Sequence, residues 1–510
     1  MQSDAKQKLD LELQSPSVMN GETTTDIERE RAQALAALPD PDAGKSEEER
    51  AAIDRKLVRR IDFWLIPWLS VLYLLSFLDR TNIGNARLVG MELDLNMSGG
   101  DYNSALTIFF VSYAIFEPAT NMLLKQLKPR FFFMSIIITW GAIVTLTGLV
   151  KNHSGILAAR WFLGMAEAGL FPGVSYYLSC WYKSTEIGFR MAIFASSAAL
   201  AGSFGGLLAA AIAKMDGVGG QPGWAWIFII EGLITIAVGC LCWWMVFDWP
   251  DTAKFLSPDD RIRAQRRILA NKQGKTADDF DKRYIWAALC DWKTYGYMLI
   301  NAGTLVPIYA FSLFLPTILR GMGHQGTKAQ LLSVPPYAGA ALCTIAVGYV
   351  ADRTRQRGLL NMGTVVVGMT GFVMLISSQD PQVQYAGTFL GAAGLYPVLP
   401  NTISWAINNT EGSLKRAIVV GMLTGFGNLN GVVSCNIYLL RESPRFWTGH
   451  GVVLGYQFFL LFGVSALMHF ALKASNAHRR AGKLDTKWNN MTEEEKWIAG
   501  DKRPDFVYTV

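Results

Sequence analysis

Residues 167–173 read EAGLFPG, and residues 392–398 read AAGLYPV. Much the same interval, ~226 residues, separates TEIGFR (185–190) from TEGSLKR (410–416), and KQLKPR (125–130) from DRTRQR (352–357). Three matches at one shared offset mark an internal duplication. Each pair occupies the equivalent place in its half, so the chain reads as two sixfold sets of helices joined by the charged segment 248–293. Parallel halves related by an axis along the membrane normal are one architecture of secondary transporters.

Composition agrees with a membrane solvent. Of 510 residues, 51% are hydrophobic and 17% charged, with mean hydropathy +0.22. A soluble domain carries about 25% charged residues. The apolar residues come in long blocks, and a membrane helix needs roughly 20 of them. Twelve candidate spans follow: 61–79, 103–124, 131–150, 155–178, 191–213, 224–247, 294–319, 329–351, 359–378, 384–407, 416–439 and 451–473. The expected fold class is an all-α membrane protein, twelve transmembrane helices in two six-helix halves. The expected units are a tail over 1–60, a first half over 61–247, a linker over 248–293, a second half over 294–473 and a tail over 474–510. The first tail reads as disordered, with a helical reading from SEEERAAIDRKLVRR onward, and it lacks the apolar core of a signal peptide.

Short loops set the orientation. Lys125, Lys128 and Arg130, then Lys183 and Arg190, then Arg353, Arg355 and Arg357, then Lys415 and Arg416 fall on one side, with RIRAQRR of the linker. That side is expected to be cytoplasmic and to hold both termini, in a multi-pass protein of the plasma membrane. Asn96 (NMS) and Asn152 (NHS) would then face outward as glycosylation candidates. The net charge of +6 belongs to these loops and not to a nucleic-acid surface. The six cysteines lack disulfide or metal spacing. No phosphate-binding loop, metal cluster or nucleophile elbow occurs, so neither an enzyme, a cofactor nor ATP is expected.

Charges within the apolar blocks are costly and point to function. Asp79 and Arg80 follow FWLIPWLSVLYLLSF. Arg160 and Glu167 lie two helical turns apart, about 10.5 Å along the axis, and so share a face. Arg80 can grip a carboxylate through its planar fork. Asp79, about 100° round the helix, can face a different neighbour and take a proton. Glu167 can exchange a proton, its charge balanced between burial and Arg160. The alternatives are an interfacial Asp79–Arg80 pair, an electrostatic funnel of Arg80 and Arg87, and an Arg160–Glu167 pair that only fixes packing. Tyr113, Tyr309, Asn401, Asn428 and Asn430 are candidate cavity residues, with Tyr or Phe rings suited to an aromatic acid. Glu117 and Glu231 read as packing groups near gates.

GYVADRTRQRG (348–358) resembles the loop motif of the major facilitator superfamily in its second-half position. The first-half copy, KQLKPR, lacks the Gly and Asp. RWFLGMAEAGLFPG (160–173) and FLDRTNIGNA (77–86) resemble the anion:cation symporter family, in particular its fungal allantoate permease branch, which includes nicotinic acid permeases. The resemblance covers about residues 60–475. It implies proton-driven import of a small organic anion, with coupling at Asp79, Arg80, Arg160 and Glu167, and a gating loop of Gly348, Asp352, Arg353 and Arg357. The expected partners are a small organic anion, protons and lipid, with the protein a monomer. An exporter of the same fold and a non-transporting nutrient receptor are the competing functions.

Overall fold

A computed structural model describes residues 35, 37–271, 282–323, 327–443, 445–482, 500–502, 504 and 506–510. The expectation for residues 1–34 lies outside them. The described chain is helical throughout. In the first half, α1 is Glu47–Leu88, α2 Gly99–Gln126, α3 Pro129–Thr147, α4 His153–Glu167, α5 Leu170–Ser179, α6 Ser184–Ile212 and α7 Gly223–Met245. A surface helix, α8 (Pro258–Asn271), follows. In the second half, α9 is Trp292–Gly321, α10 Thr327–Thr354, α11 Arg357–Ser377, α12 Pro381–Leu395, α13 Val398–Asn408, α14 Ser413–Leu429 and α15 Gly431–Asn436. The last span runs through α16 (Trp447–Gly455), a wide turn over Tyr456–Gly463 and α17 (Val464–Arg480). Only helices satisfy every backbone group internally in lipid without closing a barrel.

Nine helices among the described residues are long and apolar enough to cross a membrane. Two further spans are each broken into a pair, α4/α5 and α12/α13, and the breaks fall inside the two copies EAGLFPG and AAGLYPV. The repeat in sequence is thus a repeat in geometry: each half interrupts its fourth span within the same motif, three positions apart.

The first span keeps the expected helical start after Ser46 and departs from expectation at its far end. It begins at Glu47, where Ser46 and Glu49 bond each other's backbone as a capping box (2.9 and 3.3 Å), so residues 47–60 are helix. It also continues past Asp79 to Leu88, with residues 75–87 buried. Hydropathy ended the span at 79 because TNIGN is polar. Those residues face protein, so lipid never meets them.

The halves meet along two closely packed seams. At Gly84 a Cβ would stand 2.8 Å from the Leu313 carbonyl oxygen, so only glycine lets α1 approach α9 this closely. Gly348 of α10 lies in the same way on the Cβ of Ala192 in α6. The face that carries both terminal segments is braced by ions. Asp62 holds Arg190 (2.6 Å), Asp54 holds Lys183 (3.5 Å) and Arg267, and Asp42 holds Arg263 (2.9 Å). Asp42 is held down to about 2, chiefly by the Arg263 hydrogen bond. Beneath the second half, Asp501 of the C-terminal segment is buried against Lys293 and Lys415, the latter at 2.6 Å. Asp291 completes that cluster, 3.0 Å from Lys293 and 2.8 Å from Lys415. Residues 508 and 509 then hydrogen-bond Asn476, Trp405 and Asn409. Residues 501, 508 and 509, expected to belong to the C-terminal tail, are packed onto the ends of four spans.

Candidate functional site

Between the halves lies a small cavity of about 20 Å³, room for one water and not for an organic acid. Arg80 is the charged side chain in its wall, which Tyr73, Ser76, Tyr113, Asn301, Tyr309 and Asn428 share. Arg80 and Asp79 are buried, at 6% and 0% exposure, so they are not an interfacial pair. Arg80 reaches across to α4, where its Nη2 donates to Glu167 Oε2 at 3.0 Å. Ser76 Oγ donates to the same oxygen at 3.3 Å. The other arm of the fork, Nη1, donates to the Tyr309 hydroxyl of the opposite half at 3.1 Å. Rings of Phe77, Phe109, Tyr113 and Tyr309 surround the guanidinium with centroids 5.0–5.6 Å away. Such faces favour a cation electrostatically.

From Tyr309 the chain of bonds continues. Its hydroxyl donates to Asn428 Oδ1 at 2.6 Å, and Asn428 Nδ2 donates to Glu117 Oε2 at 3.4 Å. Glu167, Arg80, Tyr309, Asn428 and Glu117 therefore form one connected line that crosses from the first half to the second and back.

Asp79 belongs to a separate group. Its Oδ2 accepts from Trp140 Nε1 and Thr235 Oγ1, both at 3.0 Å. One turn on, Asn82 Nδ2 donates to Glu231 Oε2. Asp79 and Asn82 of α1 thus face Glu231 and Thr235 of α7. Arg160 is buried at 2% exposure, with Nε and Nη2 unbonded and its guanidinium 5.9 Å from the Phe228 ring. Among the described residues it makes no ion pair with Glu167. The i, i+7 spacing put both on one face, and Arg80 took the carboxylate.

Arg87 is no part of a funnel with Arg80: it pairs with Glu92 at 2.8 Å and lies over the Tyr102 ring. Asn430 sits at the α14/α15 break, its amide spent on the Phe426 carbonyl, outside the cavity wall. Asn401 is also placed away from the cavity. It accepts from Arg357 Nη1 at 2.9 Å and donates to the Arg357 carbonyl. That fixes the loop 352–357, where Asp352 pairs with Arg357 and accepts from the Phe189 amide of α6 at 2.8 Å. Gly348, Asp352 and Arg357 thus meet the first half, whereas Arg353 lies exposed along Tyr349. Asn96 and Asn152 are both exposed; Asn152 caps α4 by accepting from Gly155 at 2.8 Å. Loops at 94–95, 148–151 and 216–224 surround one surface hollow, on the side away from the terminal segments.

Two halves, matched breaks and a cross-half loop latch have their counterpart in sequence. The profile of the Major Facilitator Superfamily matches residues 69–434. The chain belongs to that superfamily. A relative from Penicillium expansum, MFS-type transporter cnsO, is 35% identical, covering 95% of this chain and 98% of its own. The high-affinity nicotinic acid transporter of Saccharomyces cerevisiae is 29% identical, covering 89% and 85%. Among solved structures, a bacterial homologue of the human lysosomal transporter Spinster, inward-facing and occupied, superposes with TM-score 0.55 at 15% identity, covering 86% and 87%. The likeness to that structure is one of fold alone. This superfamily member is thus a multi-pass transporter for which homologues and helices agree.

Its cavity also holds residues that spacing did not single out: Tyr73, Ser76, Asn301 and Thr424. Asn301 offered a signal, a lone amide in the apolar run YMLINAGTLV. Its Nδ2 donates to the Leu423 carbonyl at 2.7 Å, beside Gly427.

Proposed function

We propose that this transporter imports a small organic anion, a monocarboxylate, together with a proton. The observation that carries the reading is the buried Arg80–Glu167 pair, with Arg80 in the cavity wall and both arms of its guanidinium engaged. A substrate carboxylate can replace Glu167 on the fork, since Arg matches two carboxylate oxygens in one plane. Glu167 would then be a buried carboxylate without a cation, a costly state. Taking a proton removes the cost. Anion and proton thus enter together, and the site stays neutral while both faces are closed. Asp79, bonded only by neutral donors, is a second proton carrier.

The four rings around Arg80 suit a planar acid such as nicotinate, the substrate named for one relative. Gly348, Asp352 and Arg357 act as the gate on the face of the terminal segments. The basic loops support a cytoplasmic position for that face, and the membrane in this reading is the plasma membrane. Export and receptor readings lack a specific structural support here.

The test is uptake of labelled nicotinate and a panel of carboxylates into liposomes under an imposed pH gradient. Wild type should accumulate at least one acid when the outside is acidic. Absence of gradient-driven accumulation for every acid would overturn the reading.

A further inference from the structure

Glu117, read from sequence only as a packing group near a gate, stands at the end of the bonded line. It is 2% exposed and lies in α2 one turn beyond Tyr113, about 6 Å nearer the face of the terminal segments. Its hydrogen-bonding partner, Asn428, belongs to α14 in the other half, as does the neighbouring Thr424. Its second oxygen, Oε1, is buried without a partner. Among the described residues no cation lies within ion-pair distance. The charged or titratable groups that act on it are Arg80 from α1, Tyr113 from its own helix and Tyr309 from α9; α14 presents only neutral groups. Pro118 follows it and removes a backbone donor where α2 can bend.

We infer that Glu117 is a gating carboxyl: as a neutral acid it lets α2 and α14 close, and as a carboxylate it drives them apart on the terminal-segment face. A neutral acid can sit against Asn428 and Thr424 at little cost. An ionised one, dry and without a cation, is expensive until the seam opens and water reaches it. The O–H bond breaks to give its proton to water on that face, and the same face returns the proton on closing. This gating proton is therefore distinct from the proton that Glu167 carries across. The inference rests on the transport reading for its purpose, yet its test needs no substrate.

Spin labels on Lys128→Cys and Arg355→Cys, both exposed and one in each half on that face, report the opening. Cys240 and Cys290, the exposed native cysteines, are replaced by Ser. In reconstituted protein the label distance should lengthen as pH rises, because ionised Glu117 favours the open form. Glu117→Gln, neutral at every pH, should stay short and lose the pH dependence of the distance, because the charge that drives the seam apart is gone. An unchanged pH response in Glu117→Gln overturns the inference. If that variant fails to fold, Glu117→Asp decides: a shifted midpoint supports the inference, and an unshifted one overturns it. Failure of nicotinate uptake in wild type would strike the proposed function and leave this distance measurement valid.

Discussion

The two halves share a helix order and a broken fourth span, yet they place polarity differently. The first half buries ionisable groups at membrane depth: Asp79, Arg80, Glu117, Arg160, Glu167 and Glu231. At the same depth the second half buries Asn301, Tyr309 and Asn428, which carry no charge at neutral pH, and the imidazole of His450. Its buried charges, Asp291, Lys293, Arg357, Lys415 and Asp501, gather at the face of the terminal segments. The duplication thus retained a scaffold and divided the labour. The first half holds the acids that can exchange a proton at this depth, and the second supplies Tyr309 and Asn428, whose dipoles meet Arg80 and Glu117. A bundle with titrating acids in both halves would pay the burial cost twice; here the cost falls on one side of the seam.

Substitutions at Arg80 test this division most severely. Arg80→Ala should abolish uptake, and Arg80→Lys should lose most of it, because an ammonium keeps the charge without the fork. Binding assays on correctly localised protein check this; near-native affinity in the Lys variant would demote Arg80 to a general attractor. Glu167→Gln comes next. It should lose accumulation against a gradient while retaining exchange of substrate between the two sides, and a variant that still concentrates substrate would remove Glu167 from coupling.

The second half should respond more mildly in transport. Tyr309→Phe deletes the hydroxyl that links Arg80 to Asn428, and one net hydrogen bond of about 1 kcal/mol predicts a several-fold rise in KM with the charge chemistry intact. A loss as deep as that of Arg80→Ala would erase the contrast between the halves.

Asp501→Asn should leave the transport mechanism intact and lower stability by about 3 kcal/mol, the order expected when one member of a buried ionic cluster is removed. Thermal unfolding of purified protein reads it. The pH dependence has a definite sign. Burial alone would push the Asp291 and Asp501 carboxyls up, but the ammonium groups of Lys293 and Lys415 outweigh it and hold both below the usual carboxylate range. Their contribution is present above the ordinary carboxylate range and disappears as pH falls through the depressed values. The wild type should therefore lose melting temperature in acid more steeply than Asp501→Asn. Asp42→Asn, at the partly exposed Arg263 contact, should show the smallest change, within about 1 kcal/mol.

Much of this was legible in the chain itself. Hydropathy is local, so apolar blocks located the spans, and the common offset of EAGLFPG and AAGLYPV located the duplication. The cost of charge in lipid was enough to send Asp79, Arg80, Arg160 and Glu167 inward. Partners were another matter. Glu167 shares a helix face with Arg160, yet its oxygen is bonded by Arg80, 87 positions away. Asp79 answers to Trp140 and Thr235, Asn401 serves the loop latch, and Glu117 meets Asn428 across 311 positions. The same holds for Asp501, whose neighbours in sequence gave no hint that it would be buried on two lysines. Periodicity tells which face of a helix a side chain occupies, whereas the partner opposite depends on how the helices pack and on which close approaches Gly84 and Gly348 permit. Sequence therefore determined which groups must leave lipid, and tertiary structure decided which of them met, because an ion or amide without its partner costs more inside than any local preference can offset.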